Sequence, residues 1–87
     1  MHYSIVVCEN QADAKTIKYY LKQGSAGDTT PYIWQDFQGL NEMAYPCVKF
    51  GSRGEAQQFL QDHPQAAPVN HVVAIVSWKP GSAITIA

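Results

Sequence analysis

The stretch Tyr3-Ser4-Ile5-Val6-Val7-Cys8 is the segment from which the fold is predicted. It is rich in β-branched residues and apolar on both alternating faces, a pattern typical of a central strand rather than an edge strand. Residues 71–78 repeat this pattern near the other end of the chain. We therefore predict that these two stretches are the central strands of one sheet.

A helix is predicted over residues 11–23, directly after the first strand. Asp13 falls in its first turn, where an acidic side chain favours the positive end of a helix. Ala14, Ile17 and Leu21 recur at helical spacing. This apolar stripe would pack on one face of the sheet.

The middle of the chain predicts a hairpin. Residues 25–30 suit a loop, residues 32–37 an aromatic strand, and residues 43–50 a strand that pairs back after a turn. Pro46 cannot donate a hydrogen bond to a neighbouring strand. It implies a bulge or an unpaired edge in the third strand.

A second helix is predicted to begin at Ser52-Arg53-Gly54-Glu55. This sequence fits the capping box, in which the serine hydroxyl and the glutamate carboxylate each accept a hydrogen bond from a free backbone N–H. Pro64 ends the helix near His63. The apolar residues 84–86 form a short tail, for which an extra strand is one option.

These elements follow one another in the order β-α-β-β-α-β. That order is the split arrangement of a ferredoxin-like fold of the α+β class. We predict a single domain over residues 1–87, with a four-stranded antiparallel sheet and both helices on one face.

The second face of such a sheet would be left open. Val48 and Phe50 are expected to face the core, with Tyr45, Cys47 and Lys49 pointing away. The two central strands offer apolar residues to both faces. Exposed apolar patches larger than a few hundred Å² mark interfaces. We expect another subunit, a ligand or a partner protein to cover the open face. The alternative is that residues 83–87 fold across it or add a fifth strand.

The composition excludes several classes of protein. The chain has 87 residues, 46% of them hydrophobic and 15% charged, with a net charge of -1, which lacks the strong positive charge of a duplex-binding protein. Its longest apolar run, residues 72–76, is far shorter than the roughly 20 residues of a membrane span. With no leader sequence recognised, we predict a cytoplasmic protein in which Cys8 and Cys47 are thiols.

A first resemblance concerns residues 43–56, Met43-Ala44-Tyr45-Pro46-Cys47-Val48-Lys49-Phe50-Gly51-Ser52-Arg53-Gly54-Glu55-Ala56. This stretch resembles the third strand and second helix of an RNA-recognition motif, a family that stacks bases on aromatic residues of that strand. Tyr45 matches the first stacking position, whereas Cys47 and Val7 stand where further aromatics are expected. The resemblance implies single-stranded nucleic-acid binding as a weaker alternative function.

A second resemblance concerns the C-terminal half. The residues Phe50-Gly51-Ser52, Glu55-Ala56-Gln57, Asp62-His63-Pro64, Val73, Val76 and Lys79-Pro80 are similar to the ending of YciI-like proteins of the dimeric α+β barrel group. This resemblance implies a homodimer with two sheets packed face to face. It also implies a small-molecule binder or enzyme as the runner-up function, with a pocket between the first helix and the sheet. The first helix holds no histidine, so no catalytic residue carries over.

Two surfaces are the candidates for partner binding. Lys15, Lys18 and Lys22 would share one face of the first helix with Tyr19 beside them, where they could grip a phosphate backbone or an acidic protein patch. The alternative is an ordinary solvated helix surface.

The second candidate surface is aromatic. It comprises Tyr32, Trp34 and Tyr45 on the open sheet face. Trp34 could equally belong to the core.

No residue pattern indicates a catalytic or metal site. His2, His63 and His71 are far apart and lack the spacing of zinc ligands. No phosphate-binding glycine motif occurs, so we predict no cofactor.

We predict a small non-catalytic binding protein that acts through protein–protein contacts and forms a homodimer. A compact module of this kind suits a phage or mobile-element inhibitor of a host defence complex, similar in role to anti-CRISPR proteins. Enzymatic activity belongs only to the runner-up function, that of a YciI-like small-molecule binder or enzyme.

Overall fold

The computed structural model describes residues 1–25, 27 and 31–87. Its elements, in chain order, are β1 (His2–Cys8), a single 3₁₀ turn (Ala14–Thr16), β2 (Ile17–Gln23), β3 (Tyr32–Asp36), α1 (Leu40–Met43), α2 (Arg53–Asp62), β4 (Val72–Trp78) and β5 (Thr85–Ile86). Of the predicted loop at residues 25–30, residues 26 and 28–30 lie outside the described part.

Within the described residues, the strands form one five-stranded antiparallel sheet in the order β3-β2-β1-β4-β5. The two stretches that are apolar on both faces, β1 and β4, pair along their whole length from His2↔Trp78 to Cys8↔Val72. Their central positions confirm the prediction from hydrophobic patterning. The α+β class is confirmed as well, and so is the short C-terminal strand.

The predicted helix over residues 11–23 is wrong. Asp13 caps only a 3₁₀ turn, where its side chain accepts a hydrogen bond from the backbone N–H of Lys15. Strand β2 follows at once and pairs with both β1 and β3. Ile17–Gln23 also alternates β-branched, aromatic and polar side chains, so its sequence suits a strand as well as a helix. Pairing with two neighbours outweighs local helix propensity.

The predicted third strand over residues 43–50 is also wrong. The segment begins with the end of α1 and a turn at residues 44–46, and it touches the sheet through two isolated bridges, Lys22↔Cys47 and Tyr3↔Phe50. Tyr3 and Phe50 exchange backbone hydrogen bonds of 3.0 and 2.8 Å. The chain thus passes between β1 and β2 where these strands diverge, which carries it from one face of the sheet to the other.

Helix α2 begins where the capping box predicts. The Ser52 hydroxyl accepts a hydrogen bond from the N–H of Glu55 at 3.1 Å. The Glu55 carboxylate accepts from the N–H of Gly51 at 2.9 Å, one residue before the cap. The first bond satisfies a donor that the start of the helix leaves free, and the second ties the residue before the cap to the first turn.

Face A of the sheet is covered by α1 and the C-terminal segment. Val6, Tyr20 and Val76 project from the strands, and the fully buried Met43 packs against them with Cys47. The partly buried residues that complete this cover include Phe37, Leu40, Ala44, Ile84 and Ile86.

Face B is covered by α2. Ile5, Leu21 and Ile75 project from the strands, and the helix residues Ala56, Phe59 and Leu60 pack against them together with Val48 and Phe50. The contacts of Val48 and Phe50 with this cluster match their predicted core-facing role.

Two predictions about the sheet are therefore wrong. The four-stranded ferredoxin-like arrangement does not form, because residues 17–23 add a strand and residues 43–50 do not. The expected open face is absent as well, because α1 and α2 lie on opposite faces and Ile84 and Ile86 help to cover face A. Face-to-face packing of two sheets would need a face that this chain already covers itself.

Candidate protein-interaction surface

Tyr45 is the most exposed large hydrophobic residue of the described part of the chain. Its side chain and backbone are 93% accessible, compared with 85% for Val69 and 71% for Met1. It sits in the turn after α1, not on a strand of the sheet. The sheet-borne stacking position that the first resemblance implies is therefore not formed.

The backbone of the Tyr45 turn is held from both sides. The Lys49 ammonium donates to the carbonyl oxygens of Tyr45 and Cys47, at 3.0 and 3.2 Å. The N–H of Cys47 donates to the carbonyl of Met43 at 3.0 Å. Since Met43 and Cys47 are buried, the turn is anchored in the core of face A while the ring of Tyr45 lies in solvent.

The buried hydroxyl of Ser4 also helps to hold the Tyr45 turn, through its contact with Cys47. The Trp78 indole N–H donates to the Ser4 hydroxyl at 2.8 Å, and the Ser4 oxygen lies 3.4 Å from Cys47 Sγ. Ser4 is fully buried, so these contacts replace the water that its hydroxyl would otherwise bind. The cluster fixes Cys47 and shields it from solvent, which fits a structural thiol.

Tyr20 lies next to this cluster on face A. Burial raises the pKa of its phenol above the usual value of 10.0, and Cys47 and Glu42 raise it further. The phenol therefore stays neutral beneath α1 over the physiological range. Its ring packs in the face A cluster.

The helical face predicted for the three lysines does not form. Lys15 is exposed in the 3₁₀ turn, and Lys18 is exposed on β2 with its ammonium 3.0 Å from the Glu9 carboxylate. Lys22 is half-buried on β2, where it pairs with Ile33. Tyr19 points to the opposite face of the same strand, with its ring 6.3 Å from that of His71. The helical spacing that would have brought all three lysines together with Tyr19 is therefore absent.

Tyr32 and Trp34 lie on face B of β3, away from Tyr45. The Tyr32 ring meets Phe59 of α2 edge to face at 4.8 Å. The Trp34 indole N–H donates to the carbonyl of Ala66 at 3.0 Å. Both side chains pack against the face B cluster. Trp34 thus follows the alternative in which it belongs to the core. Tyr32, Trp34 and Tyr45 do not form one surface.

A shallow cleft of about 300 Å³ lies between α2 and the outer side of β4. Its lining comprises Ala12, Arg53, Gln57, Leu60, Val73, Ala74, Ile75, Ile86 and Ala87. Sequence reasoning missed this cleft, because it depends on how far β5 extends along β4. The pocket expected beside the first helix is absent together with that helix.

The histidines and cysteines are dispersed through the described residues. His2, His71 and His63 lie against Trp78, Tyr19 and Phe59, with ring centres 4.8, 6.3 and 4.9 Å apart. Both cysteines are free and buried. Among residues 1–25, 27 and 31–87, no group of three or more His, Cys, Asp or Glu side chains is placed to hold a metal ion.

The chain has no match among protein-family models, curated proteins or solved structures. Within the described residues, the helices are too short and too polar to cross a membrane.

Proposed function

We propose that this chain is a small non-catalytic binding protein that acts through protein–protein contacts, with Tyr45 as the anchor of the contact. The observation that carries the proposal is the 93% exposure of Tyr45 on a turn fixed by buried neighbours. Tyrosine is enriched among the residues that dominate binding energy at interfaces. A turn that is already ordered loses little conformational entropy when a partner binds.

The surroundings of Tyr45 match the usual composition of an interface. Asn41 and Glu42 of α1 and Lys49 beyond the turn are exposed polar residues close in sequence. An aromatic centre within a polar rim is the common arrangement at protein interfaces. Glu42 and Lys49 carry opposite charges, which favours a specific polar partner surface over a nucleic-acid backbone.

The partner class we propose is a host defence complex, so that the chain would act as an anti-CRISPR-like inhibitor from a phage or mobile element. The small size of the chain suits a protein that blocks a surface of a larger assembly. Blocking requires affinity and shape and no chemistry of its own.

A plaque assay tests this proposal. Bacteria with an active CRISPR–Cas system would express the wild-type chain, and we expect restored plaque formation by a targeted phage. Tyr45→Ala should reduce affinity for the partner about thirtyfold or more, the equivalent of a hot spot of about 2 kcal/mol. Val69→Ala is the matched control, because Val69 is similarly exposed and lies in a different loop.

Two results would contradict the proposal in separable ways. Failure of the wild-type chain to protect phage rules out the inhibitor role. A photo-crosslinking residue at position 45 that captures no protein in cells, compared with the same residue at position 69, rules out the contact itself.

The cleft beside α2 favours a second candidate function, that of a small-molecule binder. Its volume of about 300 Å³ is at the lower end of ligand pockets. A metabolite that raises the melting temperature in proportion to its concentration would support this alternative. Loss of that shift in Arg53→Ala, with no loss in Tyr45→Ala, would place the ligand in the cleft.

A further inference from the structure

In the part of the chain that the structure describes, no strand pairs with the outer edge of β3. Strand β3 ends the sheet, and its only strand partner is β2 among the described residues. The N–H of Phe37 donates to Lys18 and the N–H of Gly24 donates to the carbonyl of Pro31, both at 2.9 Å. Since antiparallel strands alternate the direction of their backbone groups, Tyr32, Trp34 and Asp36 direct their N–H and C=O groups outward.

The sequence of β3 has few of the features that usually protect an edge strand. Its residues, Tyr-Ile-Trp-Gln-Asp, include no lysine and no proline, and the strand pairs continuously with β2 over all five residues. Ile33 is half-buried on face A and packs in neither core cluster. An unprotected β-prone edge is a ready template for a further strand.

We propose that this edge is the interface of a homodimer, in which β3 pairs antiparallel with β3 of a second copy about a two-fold axis at Trp34. In this register, Trp34 lies opposite Trp34 of the second copy, and Tyr32 lies opposite Asp36. Each of these pairs exchanges both backbone hydrogen bonds. The two sheets become one continuous sheet with a closed, symmetric interface.

The register is chemically self-complementary. The only charged residue of the strand, Asp36, faces the neutral phenol of Tyr32 instead of a second carboxylate. Like charges directly opposite would destabilise the pair, and aromatic pairs such as Trp34–Trp34 stabilise it. Ile33 lies opposite Gln35 and gains cover on face A, where its own chain leaves it half-exposed.

This dimer is independent of the proposed contact at Tyr45, which lies outside β3. It also differs from a face-to-face dimer, because both sheet faces remain covered by their own chain. A pair of five-residue strands buries less area than a typical stable interface of about 1,600 Å². We therefore expect association that depends on protein concentration.

Engineered cysteines test the register. Ile33 and Gln35 of two copies form a non-hydrogen-bonded pair, whose Cα atoms approach to about 4.5 Å, within disulfide range. An equimolar mixture of Ile33→Cys and Gln35→Cys, oxidised with diamide, should give a crosslinked heterodimer. Either variant alone should crosslink at least tenfold more slowly, and the native thiols are buried and unreactive.

A backbone substitution provides a second measurement. Asp36→Pro removes an outward N–H and should weaken the dimer about tenfold or more, because the two-fold axis removes two hydrogen bonds at once. Asp36→Ala keeps the N–H and is the matched control. Light scattering over a concentration series measures both variants, and circular dichroism confirms that each is folded.

The outcomes distinguish the dimer paired through β3 from a monomer and from a dimer with another interface. A mixture-specific crosslink and a proline-sensitive mass confirm the dimer, and Tyr45→Ala should change neither result. Equal crosslinking of the single variants, or a mass that stays that of a monomer at every concentration, overturns it. A stable dimer that is indifferent to Asp36→Pro places the interface elsewhere and overturns it too.

Discussion

The two edge strands of the sheet, β5 and β3, are held to the rest of the chain in different ways. Strand β5 contains only two residues, and a turn through Gly81 at a φ of 80° leads into it. Ile84 and Ile86 pack on face A, so this edge also serves as part of the core cover. Strand β3 is more than twice as long and contributes Tyr32 and Trp34 to face B, yet none of the described strands pairs with its outer edge.

Helix α2 spans the sheet and lies close to both edge strands. Arg53 and Gln57 lie near Ile86 beside the cleft, whereas Phe59 and His63 lie against Tyr32 at the other side of the sheet. The difference teaches that side-chain burial and backbone pairing are separate properties of an edge strand. An edge can be anchored by its side chains and still accept a partner strand.

The largest effect is expected at β3. Trp34→Ala should lower the free energy of unfolding by about 3 kcal/mol, because it removes a large side chain from the face B cluster and the indole bond to Ala66. Urea denaturation measures this change. Trp34→Phe keeps an aromatic ring and should lose only about 1 kcal/mol through the missing hydrogen bond. Equal losses in the two variants would show that the ring does not anchor β3.

A smaller effect is expected at β5. Ile86→Ala should lower the free energy of unfolding by about 1–2 kcal/mol, because the side chain is half-buried on face A. Thr85→Ala, at an exposed neighbouring position, should change it by less than about 0.5 kcal/mol. If Ile86→Ala costs as much as Trp34→Ala, the two edges are equally anchored and the contrast between them disappears.

The smallest effect at neutral pH is expected for Tyr20→Phe, on β2 between the two edges. Burial raises the folded-state pKa of Tyr20 above 10.0, so its favourable contribution is complete below that pH. As the pH rises past 10.0, the unfolded chain loses the phenolic proton first, and the wild-type protein should lose stability relative to Tyr20→Phe. Urea denaturation of both proteins at neutral and at alkaline pH measures the difference. A constant gap between them at all pH values would contradict the raised pKa.

The candidate surface was only partly accessible to prediction. Sequence reasoning singled out Tyr45 as an aromatic of the predicted third strand, yet its exposure follows from the turn that replaces that strand. The lysine face depends on a helical spacing that exists only if residues 11–23 are helical. That helical face is lost because β2 finds partners on both sides.

Local chemistry by itself determined β1, β4 and the start of α2. Two stretches without a polar face have to lie inside a sheet, and a serine hydroxyl with a glutamate three residues later satisfies the free N–H groups of a helix wherever the helix lies. Tertiary structure alone decided that residues 17–23 extend, that residues 47–50 pass between β1 and β2, and that the helices take opposite faces. The reason is that hydrogen bonds and burial between distant segments outweigh local preferences of well under 1 kcal/mol per residue.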